Sequence, residues 1–248
     1  MRTTRLYIPD RIDADAVNNS NAPLVTLGAD DSRYLIKVMR YKEGGKVELF
    51  NGDGNNYPAT IVSAGKSTQL KLDAAEPNHN ESPLELTLVQ SLAKGTKLDI
   101  IVQKATELGV HKISPVSSER SVLQVDENRA QKKLEHWNKI ARSACAQSNR
   151  STVPLIDPVT DLKSWLEQHK NETSILIHPD SSNTFKSLKA VTALNILVGP
   201  EGGFSEQELT LATNSAVKSV KCGPRVLRTE TAGFTAIAIV QALIGDMS

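Results

Sequence analysis

The chain lacks most of the features that would fix its function at a glance. It has only two cysteines, Cys145 and Cys222, and their wide separation argues against a disulfide framework or a structural zinc site. The five histidines, His79, His111, His136, His169 and His178, show no metal-ligand spacing, so no metal is expected. Neither sign of charge dominates: 29 Lys and Arg against 28 Asp and Glu leave a net charge of +1. That balance neither favours nor excludes nucleic acid, because binding needs a local basic face rather than a global excess. The longest apolar run, Ala236 to Ile244, is interrupted by Gln241 and is too short to cross a bilayer. The opening residues carry no apolar signal segment, so a soluble, cytoplasmic protein with no membrane partner is expected. The chain shows no internal repeat, G-x-G-x-x-G fingerprint, Gly-Lys-Ser/Thr phosphate loop or Gly-x-Ser-x-Gly nucleophile elbow.

With 248 residues, 39% apolar and 23% charged, there is room for one large domain or two smaller ones with a real core. The first 75 residues differ from the rest. Residues 4–8, 24–27, 46–50, 57–63 and 68–73 read as short strands separated by turns such as Asn51-Gly52-Asp53-Gly54, with one helix near 29–40. This pattern predicts a small, mostly β, barrel-like domain over 1–74. Residues 75–83 carry two prolines and little that is apolar, and read as a linker.

From Leu84 to the end, strand and helix patterns alternate. Strands are predicted at 84–89, 113–116, 173–178, 194–198 and 217–222, with helices at 97–108 and 126–147 and after each of the last three strands. Thr96 with Asp99 forms a plausible N-cap pair, and Gly109 suits the left-handed residue after a helix. Such alternation implies a parallel sheet covered by helices. The last helix, 230–244, is apolar nearly all round, so it is buried on most sides, within the domain or at a subunit interface.

The chemical signal is concentrated in two strand–Gly–Pro junctions. The first runs Val198-Gly199-Pro200-Glu201-Gly202-Gly203-Phe204-Ser205, with Ser205 and Glu208 forming a capping box. Its glycines allow close backbone approach to a ligand. The second runs Cys222-Gly223-Pro224-Arg225-Val226-Leu227-Arg228-Thr229-Glu230-Thr231-Ala232. Ligands of open α/β sheets bind at strand carboxyl ends, where these loops lie. The plainer alternatives are a tight turn that binds nothing and an Arg–Glu ion pair that closes a helix end. Lys94 and Lys97, flanking Gly95 beyond strand 84–91, are better phosphate-contact candidates than Arg129, Lys132 and Lys133, which alternate with acids as on a solvated helix face. Cys222 has no neighbouring base and reads as a packed thiol.

These two loops resemble the signature loops of the RsmE family, SPOUT-class methyltransferases acting on N3 of a uridine in 16S ribosomal RNA. The resemblance spans the chain. It includes Gln103-Lys-Ala-Thr-Glu-Leu-Gly-Val, Ser118-Glu-Arg-Ser, Ala146-Gln-Ser-Asn-Arg150 with Val153-Pro154, Leu35-Ile-Lys-Val-Met-Arg40 and Leu49-Phe-Asn-Gly52. Tyr34 departs from it, since many members carry His there. The resemblance implies a PUA-like or OB-like β-barrel RNA-binding domain over 1–74. It also implies a SPOUT-type parallel sheet over 84–248 with a C-terminal trefoil knot. It further implies a homodimer through the knot helices, and S-adenosylmethionine held bent, mostly by backbone groups. The expected cofactor contacts are Leu176, His178, Val198, Gly199, Pro200, Glu201, Gly202, Gly203, Cys222, Gly223, Pro224, Leu227, Thr231 and Ala232.

Two chemical assignments stay open at this point. Arg228 or Arg225 could stabilise the charge developing on the uracil, or Glu230 could accept its N3 proton. Candidates for RNA backbone contacts are Arg5, Arg33 and Arg40 in the β domain and Lys94, Lys97, Arg120 and Arg150 beyond it. The balanced charge predicts weak binding to free RNA and a requirement for the assembled small subunit. Two other classes account for parts of the chain. A non-enzymatic RNA-binding module predicts no S-adenosylmethionine binding, and a nucleotide-dependent oxidoreductase lacks its fingerprint.

Overall fold

A computed structural model describes residues 3–18, 23–121 and 127–247. They form two compact units: Met1–Glu81 with Cys145–Val153, and Ser82–Ala144 with Pro154–Ser248. The first unit contains strand β1 (Thr4–Tyr7), helix α1 (Ala14–Asn18), strand β2 (Leu24–Thr26) and helix α2 (Ala29–Arg33). Helix α2 passes directly into a π-helical turn over Tyr34–Val38, so the single helix expected at 29–40 is two short pieces. Strands β3 (Lys46–Phe50), β4 (Asn55–Ser63), β5 (Gln69–Leu72) and β6 (Glu76–Pro77) follow. They pair in the order β1-β3-β4-β5-β2, with β6 added to β4. Period-two patterning decides the faces: Leu70 and Leu72 point inward while Gln69 and Lys71 face solvent. The inward set joins Leu6, Leu35, Leu49, Tyr57 and Ile61 in one apolar cluster.

Much of the expected linker, 75–83, is bonded to this unit, and the chain passes to the second unit within it, between Glu81 and Ser82. Glu76 and Pro77 pair with Asn56 and Asn55, the Asn78 N–H donates to the Gly54 carbonyl at 2.9 Å, and the Asn78 amide donates to Asn149 O and Ser151 Oγ. The polar side chains of this segment satisfy backbone groups.

The second unit begins with β7 (Glu85–Ser91), α3 (Lys97–Glu107), β8 (Lys112–Ser117) and α4 (Glu127–Ser148), whose last turn belongs to the first unit. The expected start of α4 at Asp126 lies outside the described residues. Then come β9 (Leu155–Ile156), β10 (Thr160–Asp161), α5 (Leu162–Gln168), β11 (Ser174–Ile177), β12 (Ala193–Val198), α6 (Glu206–Asn214), β13 (Lys218–Val220) and α7 (Thr229–Ile244). A helix expected after β11 is absent; that connection holds only a 3₁₀ turn, Phe185–Ser187. The strands are parallel in the order β10-β8-β7-β12-β11-β13, with β9 on β8. Strands β7 and β12 are buried almost end to end, as strands covered on both faces must be.

The chain runs outward from β7 through β8 to β10, crosses to β11 on the far side of β12, steps back to β12 and then goes beyond β11 to β13. The carboxyl ends of β12, β11 and β13 thus lie side by side, at the end of the sheet where open α/β folds place their ligands. Helix α7 then returns from the β13 side to pack on α3 and against β7 and β12. Gly109 has φ +84° after α3, as expected. Thr96 stands at the N-cap of α3 without a side-chain cap bond, and Asp99 instead meets His136 Nε2 at 3.0 Å. Among the described residues, no helix is long and apolar enough to cross a membrane.

Candidate functional site

At these strand ends lies a pocket of about 680 Å³, well within the range of small-molecule sites. Its walls come from three strand exits. Strand β11 supplies Ile177, His178, Pro179 and Asp180, and β12 supplies Val198 and the loop Gly199–Phe204. After β13 come Cys222, Gly223, Arg225–Thr229 and Ala232, while Lys97 and Arg120 close the rim. The two Gly-Pro segments do face one cavity.

Local sequence explains why each wall holds its shape. Gly203 and Gly223 have φ +69° and +79°, a region that side chains with a Cβ adopt only with strain. A Cβ on Gly199 would stand 3.2 Å from the Phe204 ring, so the loop folds over its own phenylalanine. The capping box is complete. Ser205 Oγ accepts from the Glu208 N–H at 3.3 Å, and Glu208 Oε2 accepts from the Ser205 N–H at 2.8 Å. Glu208 Oε1 also accepts from the Glu119 N–H at 2.8 Å, tying the loop after β8 to α6. Arg120 follows directly and donates to the Gly202 carbonyl at 2.8 Å.

The rim is ionic. Glu201 accepts from Lys97 Nζ at 2.8 Å and from the Lys94 N–H at 3.2 Å. Burial alone would raise the Glu201 carboxyl, but the Lys97 bond and two backbone N–H bonds outweigh it and hold the group below its ordinary value. The same bond to Glu201 raises Lys97. Lys97 Nζ also lies 3.8 Å from Glu230 Oε2, an oxygen buried without a hydrogen-bond partner. Among the described residues, the ion-pair partner of Glu230 is Lys97 rather than an arginine of its own segment. Burial pushes the Cys222 thiol up to about 11, so it is no thiolate at neutral pH.

The pocket brings together most of the residues expected there, with clear exceptions. Leu176 is 1% exposed and belongs to the core, while Pro224 and Thr231 are exposed outside the lining. Arg225 and Arg228 line the cavity, whereas Glu230 stands behind Lys97. Lys97 and Arg120, expected to meet an RNA backbone, are bound to the first loop. Arg33, Arg40 and Lys94 are exposed.

Arg5 and Arg150 correct the sequence reading outright, for both are buried, at 7% and 3% exposure. Arg5 uses all five of its N–H donors: on Glu48, on the Cys145 and Arg150 carbonyls, on Asn56 and on Ser151. Its guanidinium also lies over the Phe50 ring. Arg150 pairs with Glu81 at 2.7 Å. Neither guanidinium is free to meet a phosphate. Sequence reasoning also missed two residues. Gln90, 0% exposed at the end of β7, donates to Thr229 Oγ1 at 2.9 Å, and Thr229 Oγ1 donates to the Gly199 carbonyl at 2.6 Å. A glutamine ending the run Leu86-Thr-Leu-Val-Gln90 was the available signal. Among the described residues, no group of three or more His, Cys, Asp or Glu is placed to hold a metal.

A parallel α/β sheet with its pocket at the carboxyl ends of β11, β12 and β13, in a chain that also carries a mostly β unit, defines the class. Residues 80–241 match the family model of the RNA methyltransferase domain, and residues 27–70 match that of the RNA methyltransferase PUA domain. The ribosomal RNA small subunit methyltransferase E of Buchnera aphidicola (from Acyrthosiphon pisum) is 32% identical, over 98% of this chain and 94% of that protein. Its namesake in Bacillus subtilis is 32% identical, over 88% and 90%. A crystal structure of ribosomal RNA small subunit methyltransferase E from Neisseria gonorrhoeae bound to S-adenosylmethionine is 33% identical. It covers all of both chains, with a TM-score of 0.90. The chain belongs to the ribosomal RNA small subunit methyltransferase E family.

Proposed function

We propose that this protein transfers the methyl group of S-adenosylmethionine to N3 of one uridine in 16S ribosomal RNA during maturation of the small subunit in the cytoplasm. The observation that carries the reading is the pocket at the carboxyl ends of β11, β12 and β13, walled by both Gly-Pro segments, in a chain of this family. The residues fit the cofactor chemically. The Val198, Leu227 and Ala232 side chains give apolar surface, the glycine loops expose backbone polar groups, and Glu201, Glu206 and Asp180 supply negative charge suited to a sulfonium. When bound, that sulfonium supplies an electrophilic methyl group.

The chain's own task is alignment, because an in-line displacement depends on holding donor and acceptor at near-attack geometry. Loss of the N3 proton creates negative charge on the uracil, and cations aimed at it lower the barrier. The lining of the pocket supports Arg225 and Arg228 in that role. Glu230, held behind Lys97, is better placed to orient Lys97, and through it Glu201, than to take the proton itself. The target base must leave its stack to enter such a pocket. The exposed Arg33, Arg40 and Lys94 are our candidates for backbone contact.

Two further parts belong to this reading. The return of α7 from beyond β11 to β7 and β12, bonded to the Gly199 loop on the way, supports a knotted path. A homodimer through α7 would cover the apolar residues that this helix leaves exposed. The test is methyl transfer from labelled S-adenosylmethionine to undermodified small subunits and to bare 16S RNA. We expect label in the subunits and little in the bare RNA. Equal labelling of both would refute the requirement for assembled structure, and labelling of neither would refute the function.

A further inference from the structure

We infer that Gln90 and Thr229 are positioning residues for methyl transfer: a buried relay through which the start of α7 sets the place of the Gly199 carbonyl. This inference deepens the reading above and rests on it.

The direction of the relay is determined by valence. The Gly199 carbonyl only accepts, so the single hydroxyl proton of Thr229 goes to it, at 2.6 Å. The hydroxyl oxygen then accepts from Gln90 Nε2 at 2.9 Å, and the second Nε2 proton goes to the Ser91 carbonyl at 3.1 Å. Flipping the amide would set Oε1 against the Ser91 carbonyl and make it compete for the Thr229 proton. The orientation that remains leaves Gln90 Oε1 buried with no partner. It faces Gly233, where a Cβ would lie 3.6 Å away. An orphaned acceptor in the interior is unfavourable and calls for an explanation. A leucine or methionine here would fill the space without it. The relay supplies the explanation, because only a side chain that donates twice fixes both the strand end and the hydroxyl.

The elements joined are those that make the pocket. Gln90 is in register with Val198, and Gly199 is the next residue on β12. Thr229 stands between Arg228 and Glu230 at the first turn of α7, and both Gly199 and Thr229 line the cavity. One hydroxyl therefore sets the separation of the two Gly-Pro walls, and with it the offset between the cofactor loop and Arg228.

The test compares the full-length wild type with Thr229→Val, Thr229→Ser and Gln90→Met. Three quantities are read: S-adenosylmethionine affinity by calorimetry without RNA, thermal midpoint, and turnover at saturating cofactor. Thr229→Val keeps the shape and loses the donor, so affinity should fall roughly three- to tenfold, and turnover should fall even at saturation. Thr229→Ser should restore both. Gln90→Met fills the same space without the orphaned acceptor and leaves the Thr229 hydroxyl unanchored, so it should lower affinity as Thr229→Val does with a thermal midpoint close to wild type, a split that a merely structural residue would not produce. If Thr229→Val fails to fold, Gln90→Met against Thr229→Ser carries the same comparison. Wild-type affinity in Thr229→Val or Gln90→Met, or equal losses in the valine and serine variants, would overturn the relay alone. A wild type that binds no S-adenosylmethionine would overturn the function and the relay together.

Discussion

At the scale of the residue, the main question is which charged side chain near the pocket works on the uracil. Arg225 and Arg228 line the cavity, while the buried oxygen of Glu230 has Lys97 as its neighbour at 3.8 Å. Removal of a preorganised charge partner typically costs about 10²–10³ in turnover. We therefore expect Arg228→Ala to lose turnover on that scale while cofactor affinity changes little. Glu230→Gln should retain measurable turnover, because the amide still packs behind Lys97. Complete loss of turnover in Glu230→Gln with intact cofactor binding would make Glu230 the base. The sequence made all three residues visible as a cluster, but not their order. Whether a side chain faces a cavity or stands behind a lysine 133 positions earlier (Lys97 to Glu230) depends on packing, which no local pattern records.

At the scale of the element, the capping box was legible because its chemistry is local: Ser205 and Glu208 satisfy each other within one turn. What the sequence could not reveal is the second duty of Glu208 on the Glu119 N–H. Ser205→Ala removes the oxygen that accepts from Glu208 N–H, and should cost about 1 kcal/mol in chemical denaturation. The missing helix after β11 is the opposite case. Residues 179–192 carry enough charge and polarity to resemble a surface helix, yet Ser181 and Asn183 bond back to the Ser219 carbonyl, which holds them as a loop. Arg5 shows the limit of reading charge as function. Its five acceptors come from Glu48, Asn56, Cys145, Arg150 and Ser151, so its burial is fixed by residues up to 146 positions away. Arg5→Ala strands those groups and should destabilise the first unit by roughly 3–5 kcal/mol, read as a shift in its urea unfolding midpoint. An unchanged midpoint would restore Arg5 as a surface residue.

At the scale of the whole molecule, the alternation of strands and helices foretold a parallel sheet, and the two Gly-Pro junctions foretold where its pocket lies. Strand order was not legible, since nothing local to β12 or β13 says that β11 runs between them. Helix α7 read as apolar all round, and it buries Ala232, Gly233, Ala236, Ile237 and Val240. Its remaining apolar side includes Leu243, 52% exposed, and exposed apolar surface of this kind marks an interface. We expect sedimentation equilibrium to return about twice the 26.9 kDa chain mass, and Leu243→Asp to shift the protein toward the single-chain mass. A wild-type mass of one chain would remove the dimer.

The central claim concerns a single atom of a single base. It is tested most directly by incubating the protein and S-adenosylmethionine with undermodified small subunits and mapping the product in 16S RNA by mass spectrometry and primer extension. The account predicts one new methyl group, on N3 of one uridine, absent when the cofactor is omitted. A methyl group on another atom or another base, or none at all, would contradict it.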